Sequence, residues 1–184
     1  MKNLSDMTLE ELWTLFPIIL TKPDPRWDTW YQEEEALLRR ELPSMFALRI
    51  HHIGSTAIRG IWAKPIVDIL VEATPGIRLA DADTALARAG FRRMSAGDSR
   101  RSYNKGYNQE GFAEKVFHLH LCHAGEKDEL LFRDYLNAHP AEAKAYEALK
   151  LSLWKPYEHD RDGYTAAKTA FVQEILRRAR TEAK

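Results

Sequence analysis

The run Ile66-Val67-Asp68-Ile69-Leu70-Val71 is branched apolar chain interrupted once, by a carboxylate. It lacks the alternation of a half-wet strand and fits a central strand covered on both faces. A fold built on it needs a sheet with a layer on each side. An acid inside such a run is costly to bury without a partner, so Asp68 marks a site. On a strand Asp68, Leu70 and Glu72 share one face. Glu72, close to the strand end, reads as a solvated terminus.

Met45 to Ile53 suits a strand entering the same region, and Gly54 to Pro65 a loop with a turn or two of helix. Gly54-Ser55-Thr56 after a strand end can offer backbone N–H groups and hydroxyls to an anion, although the tripeptide is also ordinary turn chemistry. Lys64, at the far lip of that loop, adds a point charge for a phosphate; the alternative is a solvated lysine. His51 and His52 point to opposite faces. Lys115 to His123 alternates, with Phe117, Leu119 and Leu121 on one face and His118, His120 and Cys122 on the other. Two imidazoles at this spacing can share a metal, or one can orient while the other exchanges a proton; histidines hydrogen-bonded to backbone are the competing reading.

Thr8 and Glu11 fit a capping box for a first helix that Pro17 stops, with Phe16 to Leu20 extended behind it. Asp24 and Pro25 open a second helix whose buried stripe is Trp27, Trp30, Tyr31, Glu34, Leu37, Leu38 and Leu42. Leu79 to Ala89 is a helix ended by Gly90, and a strand starts at Phe91. Ser95 to Gly111 is polar and rich in Gly, Asn and Tyr, a hairpin or mobile loop. Helices follow over Glu126 to Ala138, Ala141 to Trp154 and Asp162 to Arg180. Arg133, Lys150 and Lys168 can reach back toward a phosphate, against the simpler reading of surface ion pairs. Trp13, Trp27, Trp30 and Trp154 read as core.

The whole chain, residues 1–184, reads as one domain, with a sheet core over 16–123 and C-terminal helices over 124–184 packed on it. Lys plus Arg equals Asp plus Glu at 27 each, so net charge argues for neither nucleic acid nor an anionic membrane as partner. Cys122 is the single cysteine, the start has no apolar signal core, and no apolar run approaches a membrane span; a cytoplasmic location follows as the expectation. Walker A, G-x-G-x-x-G and cysteine metal patterns are absent from the sequence.

Taken together, His52-Ile53-Gly54-Ser55-Thr56, Gly60, Lys64-Pro65-Ile66-Val67-Asp68-Ile69, His118-Leu119-His120, Phe132-Arg133-Asp134-Tyr135-Leu136, Tyr146 and Lys150 resemble the GrpB family of bacterial proteins. The likeness runs from about Pro25 to the last helix. It implies an α/β (α+β) nucleotidyltransferase-like fold, a mixed sheet flanked by helices with a helical C-terminal part. In that superfamily a nucleoside monophosphate is transferred from a triphosphate with a divalent metal; related domains also occur fused to dephospho-coenzyme A kinases. The chain departs from the superfamily pattern at Leu70, where a second acid is usual, and offers His118 and His120 where a later acid is expected.

The resulting expectation is a metal-dependent transferase acting on a nucleotide or another phosphorylated small molecule. Gly54, Ser55, Thr56, Lys64 and Arg133 would face phosphate; Asp68, His118 and His120 would hold Mg²⁺ or Mn²⁺, with Zn²⁺ as the alternative, or act as acid and base. The alternatives are a ligand-binding module that no longer transfers anything and a metal-dependent hydrolase at the same Asp/His site.

Overall fold

The structure is a computed structural model that describes residues 3–125 and 127–182. Strands β1 (Arg49–Ile53), β2 (Val67–Ala73), β3 (Arg92–Ala96), β4 (Arg100–Asn108) and β5 (Gly111–His123) form one sheet in the order β1-β2-β5-β4-β3. Only β2 and β5 are parallel; the other pairs are antiparallel. The helices are α1 (Leu9–Leu15), α2 (Arg26–Glu41), α3 (Asp83–Arg88), α4 (Asp128–Ala138), α5 (Pro140–Trp154), α6 (Arg161–Ala167) and α7 (Thr169–Glu182). This is the mixed, helix-flanked α+β sheet that the sequence implies. None of these helices is long and apolar enough to cross a membrane among the described residues.

The apolar run at 66–71 does sit centrally, with β1 on one side and β5 on the other. Its odd-numbered residues Val67, Ile69 and Val71 join Phe117, Leu119 and Leu121 of β5 in the main core, closed by Trp27, Trp30 and Leu38 of α2 and Leu86 of α3. Thr8 and Glu11 make the reciprocal cap of α1, at 3.2 and 2.7 Å. Asp24 Oδ1 accepts from the Arg26 N–H at 2.9 Å where α2 starts. Glu34, inside the buried stripe of α2, is paired with Lys105 of β4 at 2.7 Å.

The opposite face of the sheet carries Asp68, Leu70 and Glu72 of β2 beside His118, His120 and Cys122 of β5. The C-terminal helices cover it, and they keep a core of their own, with Tyr135, Leu136, Ala143, Tyr146 and Ile175 against Ile58 and Ile61. They touch the sheet through a small cluster of Ile53, Leu70, Cys122 and Leu130. Two apolar cores therefore bracket a polar layer.

Three boundaries differ from the sequence reading. Residues 95–111 are mainly strand: β4 lies inside them, and β5 begins at Gly111. Polar composition hides β4 because Arg100, Ser102 and Asn104 lie beside Cys122, His120 and His118 on the polar face, while β3 beyond it is exposed along its length. At the first strand, Ser44–Phe46 is a 3₁₀ turn and pairing starts at Arg49. The last helical segment breaks at Lys168 into α6 and α7. Glu126, where the sequence starts α4, lies outside the described residues.

Candidate functional site

Asp68 and His118 are cross-strand partners in the parallel β2–β5 pair, and His118 Nδ1 lies 3.1 Å from Asp68 Oδ1. Gly54 makes room for the carboxylate. Its φ is +71°, and a Cβ built there would stand 2.3 Å from Asp68 Oδ2, so both backbone conformation and space require glycine. Burial alone would push the Asp68 carboxyl up; its hydrogen bond to His118 and the charges of His118, His120 and Lys64 together hold it below the usual carboxylate value.

The second imidazole nitrogen is engaged too. Tyr107 Oη is 2.6 Å from His118 Nε2, and Arg161 Nη2 is 3.3 Å from both atoms. A guanidinium only donates, so Nε2 is the acceptor and Nδ1–H donates to Asp68. The Tyr107 ring is fixed by edge contacts to Phe16 and Phe112, with centroids 4.9 and 5.3 Å apart. The result is a base oriented by an acid, the logic of a catalytic dyad.

A cavity of about 240 Å³ opens onto this pair, lined by Ser55, Lys64, Asp68, His118, Lys150, Arg161, Tyr164 and Lys168 among others. Four cationic side chains meet a single carboxylate there. Burial pushes the Lys64 and Lys150 amines down to about 7 and Lys168 to about 8, with the neighbouring cations adding to the fall at each. Lys64 and Lys168 lie over the Tyr164 ring at 4.9 and 4.2 Å, and Lys150 donates to the Trp62 carbonyl. Tyr164 is 1% exposed and its hydroxyl has no hydrogen-bond partner among the described residues. Amines held this way gain from an incoming anion, which restores their charge.

The other sequence-derived residues fall elsewhere. Thr56 is buried, donating to the Ile66 carbonyl at 3.1 Å and held by His52 Nε2 at 2.9 Å. Arg133 donates to the His52 carbonyl at 2.8 Å and, with Thr56, lines a separate cavity of about 480 Å³ beside α2. His120 lies opposite Leu70, one alternation along from the dyad, and its Nδ1 is buried without a hydrogen-bond partner among the described residues. Burial pushes its imidazole below the ordinary value, with Asp68 opposing.

No group of three His, Cys, Asp or Glu side chains among the described residues is placed to hold a metal ion. The four cationic side chains around Asp68 repel another cation. The residues present thus fit an anion better than a divalent cation. Sequence reasoning passed over Arg161 and Tyr164, although residues 161, 164, 165 and 168 carry the i, i+3, i+4, i+7 spacing of one helical face, all four lining the cavity. Tyr107 had no signal of its own.

A family model described as GrpB protein matches residues 17–178. The chain is 35% identical over 159 residues to UPF0157 protein PA4798 of Pseudomonas aeruginosa, covering 85% of this chain and 65% of that protein. It is 34% identical over 169 residues to glutamate-rich protein GrpB of Alkalihalophilus pseudofirmus, covering 86% and 94%. A dephospho-CoA kinase of Mycolicibacterium paratuberculosis aligns over 191 residues at 28% identity, 46% of its length. The crystal structure of conserved protein GrpB from Enterococcus faecalis superposes with a TM-score of 0.75 at 27% identity, over 90% of this chain and 99% of that one.

Proposed function

This chain belongs to the GrpB family, and from that membership and the cavity we propose that it binds a phosphorylated small molecule, nucleotides included, and transfers a group from it with His118 as proton acceptor. The observation that carries the reading is the convergence of Lys64, Lys150, Lys168 and Arg161 on the Asp68–His118 dyad. Phosphate oxygens would meet the ammonium and guanidinium donors as charge-assisted hydrogen bonds. The acceptor's hydroxyl would displace Tyr107 and Arg161 from His118 Nε2 and lose its proton to that atom as its oxygen bonds to phosphorus and the leaving oxygen departs; Asp68 keeps the imidazole oriented and stabilises the imidazolium. The lysines and Arg161 supply positive charge opposite the developing oxyanions, and no step is assigned to a metal ion.

A ligand-binding module without transfer is favoured by one observation: Leu70, fully buried, stands where a second carboxylate would be needed for two-metal chemistry. Calorimetry with ATP and with inorganic phosphate, in EDTA and then with Mg²⁺, Mn²⁺ or Zn²⁺, tests the binding. Binding in EDTA that weakens at least tenfold in Lys168→Met supports the cavity reading, whereas affinity indifferent to Lys168→Met and Lys64→Met rejects it. Product release from ATP that stops in His118→Ala while binding persists assigns phosphoryl transfer, with water as the acceptor in that assay; its absence in the parent under all four conditions leaves the binding module.

A further inference from the structure

The polar face of the sheet does not end at the dyad. Parallel register sets Val67 beside Phe117 and Asp68 beside His118, so one alternation back residues 66 and 116 share the face of Asp68 and His118. At that place an apolar cleft of about 130 Å³ is lined by Pro17, Ile19, Pro65, Ile66, Phe112 and Val116, with Lys64 at its edge. Lys64 and Ile66 line both the cleft and the cationic cavity. By strand rise, residues 66 and 116 lie about 7 Å from the Asp68–His118 pair along the face.

The cleft's outer wall is preformed. Ile18 N–H donates to the Glu158 carbonyl at 2.8 Å, the Ile18 carbonyl accepts from Trp154 Nε1 at 2.6 Å, and Thr21 pairs with Ala63 at 2.9 Å. Between Ile18 and Leu20, each 2% exposed, Ile19 stays 41% exposed against this space. Apart from Lys64, the polar side chain on the cleft is Glu114, which is 78% exposed and directed to Arg26 at 3.9 Å. Such a wall has hydrophobic contact to give and no side-chain amide or hydroxyl with which to read a nucleobase edge.

We propose that the ligand of the cationic cavity is a phosphate monoester whose ester group is small and apolar, an aliphatic chain of about five carbons or a single ring, seated in this cleft with the phosphate on Lys64, Lys168 and Arg161. The size follows from volume: an engineered apolar cavity of about 150 Å³ accepts benzene. This assignment rests on the phosphate-binding reading of the cavity and narrows its substrate class. Each methylene removed from water is worth roughly fourfold in affinity, so the cleft should separate such esters from phosphate itself.

Calorimetry of the full chain with inorganic phosphate, phenyl phosphate, butyl phosphate and AMP tests it. Phenyl and butyl phosphate are expected to bind at least tenfold tighter than phosphate, with AMP no tighter than phosphate. Ile19→Asn, an exposed position, is expected to remove most of that advantage while leaving phosphate affinity within twofold. Equal affinity for phosphate and phenyl phosphate, an advantage untouched by Ile19→Asn, or AMP as the tightest ligand would each overturn the cleft assignment and leave the cationic cavity standing. Failure of all four anions to bind removes the cavity reading and the cleft with it.

Discussion

At the scale of single residues, the site depends on which nitrogen of His118 carries the proton. Tyr107 and Arg161 both donate toward Nε2, so the imidazole is held as the Nδ1–H tautomer with Asp68 as its acceptor. Tyr107 is therefore a positioning residue for the base. In ¹⁵N-resolved imidazole spectra above pH 8, His118 should show a pyridine-type Nε2 and a pyrrole-type Nδ1, and Tyr107→Phe should move Nε2 downfield as it loses a donor. A pyrrole-type Nε2 in the parent would refute the assignment. Gly54 is the second such residue. Gly54→Ala should destabilise by about 1–3 kcal/mol through its left-handed φ, and more where the new Cβ meets Asp68. Urea melts measure the loss, and the Asp68–His118 resonances should shift in the same variant.

At the scale of elements, Lys168 caps α6 at the end of the helical face that lines the cavity. A lysine whose amine falls from 10.5 to about 8 on folding takes up fewer protons in the folded state than in the unfolded chain. Its penalty is full below pH 8 and fades as pH rises toward 10.5. Lys168→Met should therefore stabilise the protein by up to about 3 kcal/mol at pH 7, less in proportion to the partial exposure of Lys168, and by under about 1 kcal/mol at pH 10, read from urea midpoints, while weakening anion binding. The elements differ in how readily the sequence discloses them. β2 and the centre of β5 announce themselves, one by an apolar run broken only at Asp68 and the other by strict alternation, and Asp68 with His118 could be paired from those two strands. β4 does not, because its polar residues belong to the wet face and its place is set by ladder bonds to β5. The same limit applies to Arg133, whose reach depends on tertiary placement, and to Arg161 and Tyr164, whose shared helical face is legible but whose cavity exists only once their helix is docked.

At the scale of the whole molecule, net charge conceals the site. The chain balances 27 bases with 27 acids, and yet among the described residues one buried amine, two half-buried amines and a guanidinium are gathered in one cavity against one carboxylate. Because Lys64 and Lys150 titrate near 7 and Lys168 near 8 in the free protein, an anion that raises them must be accompanied by protons. Phosphate affinity should fall as pH rises from 7 to 9, by up to about tenfold per unit for each proton taken up. Calorimetry in buffers of different ionisation enthalpy should show net proton uptake at pH 8; a pH-independent affinity would mean that the amines are already charged. The parallel pairing of β2 with β5 has a further consequence, in time. Asp68 and His118 are 50 positions apart, and the β3–β4 hairpin intervenes before their strands can meet. Non-local pairing of this kind is slow to form. During refolding, local helices and that hairpin can precede the central ladder, so recovery of anion binding should trail the far-ultraviolet signal and mark when the two halves of the sheet have joined.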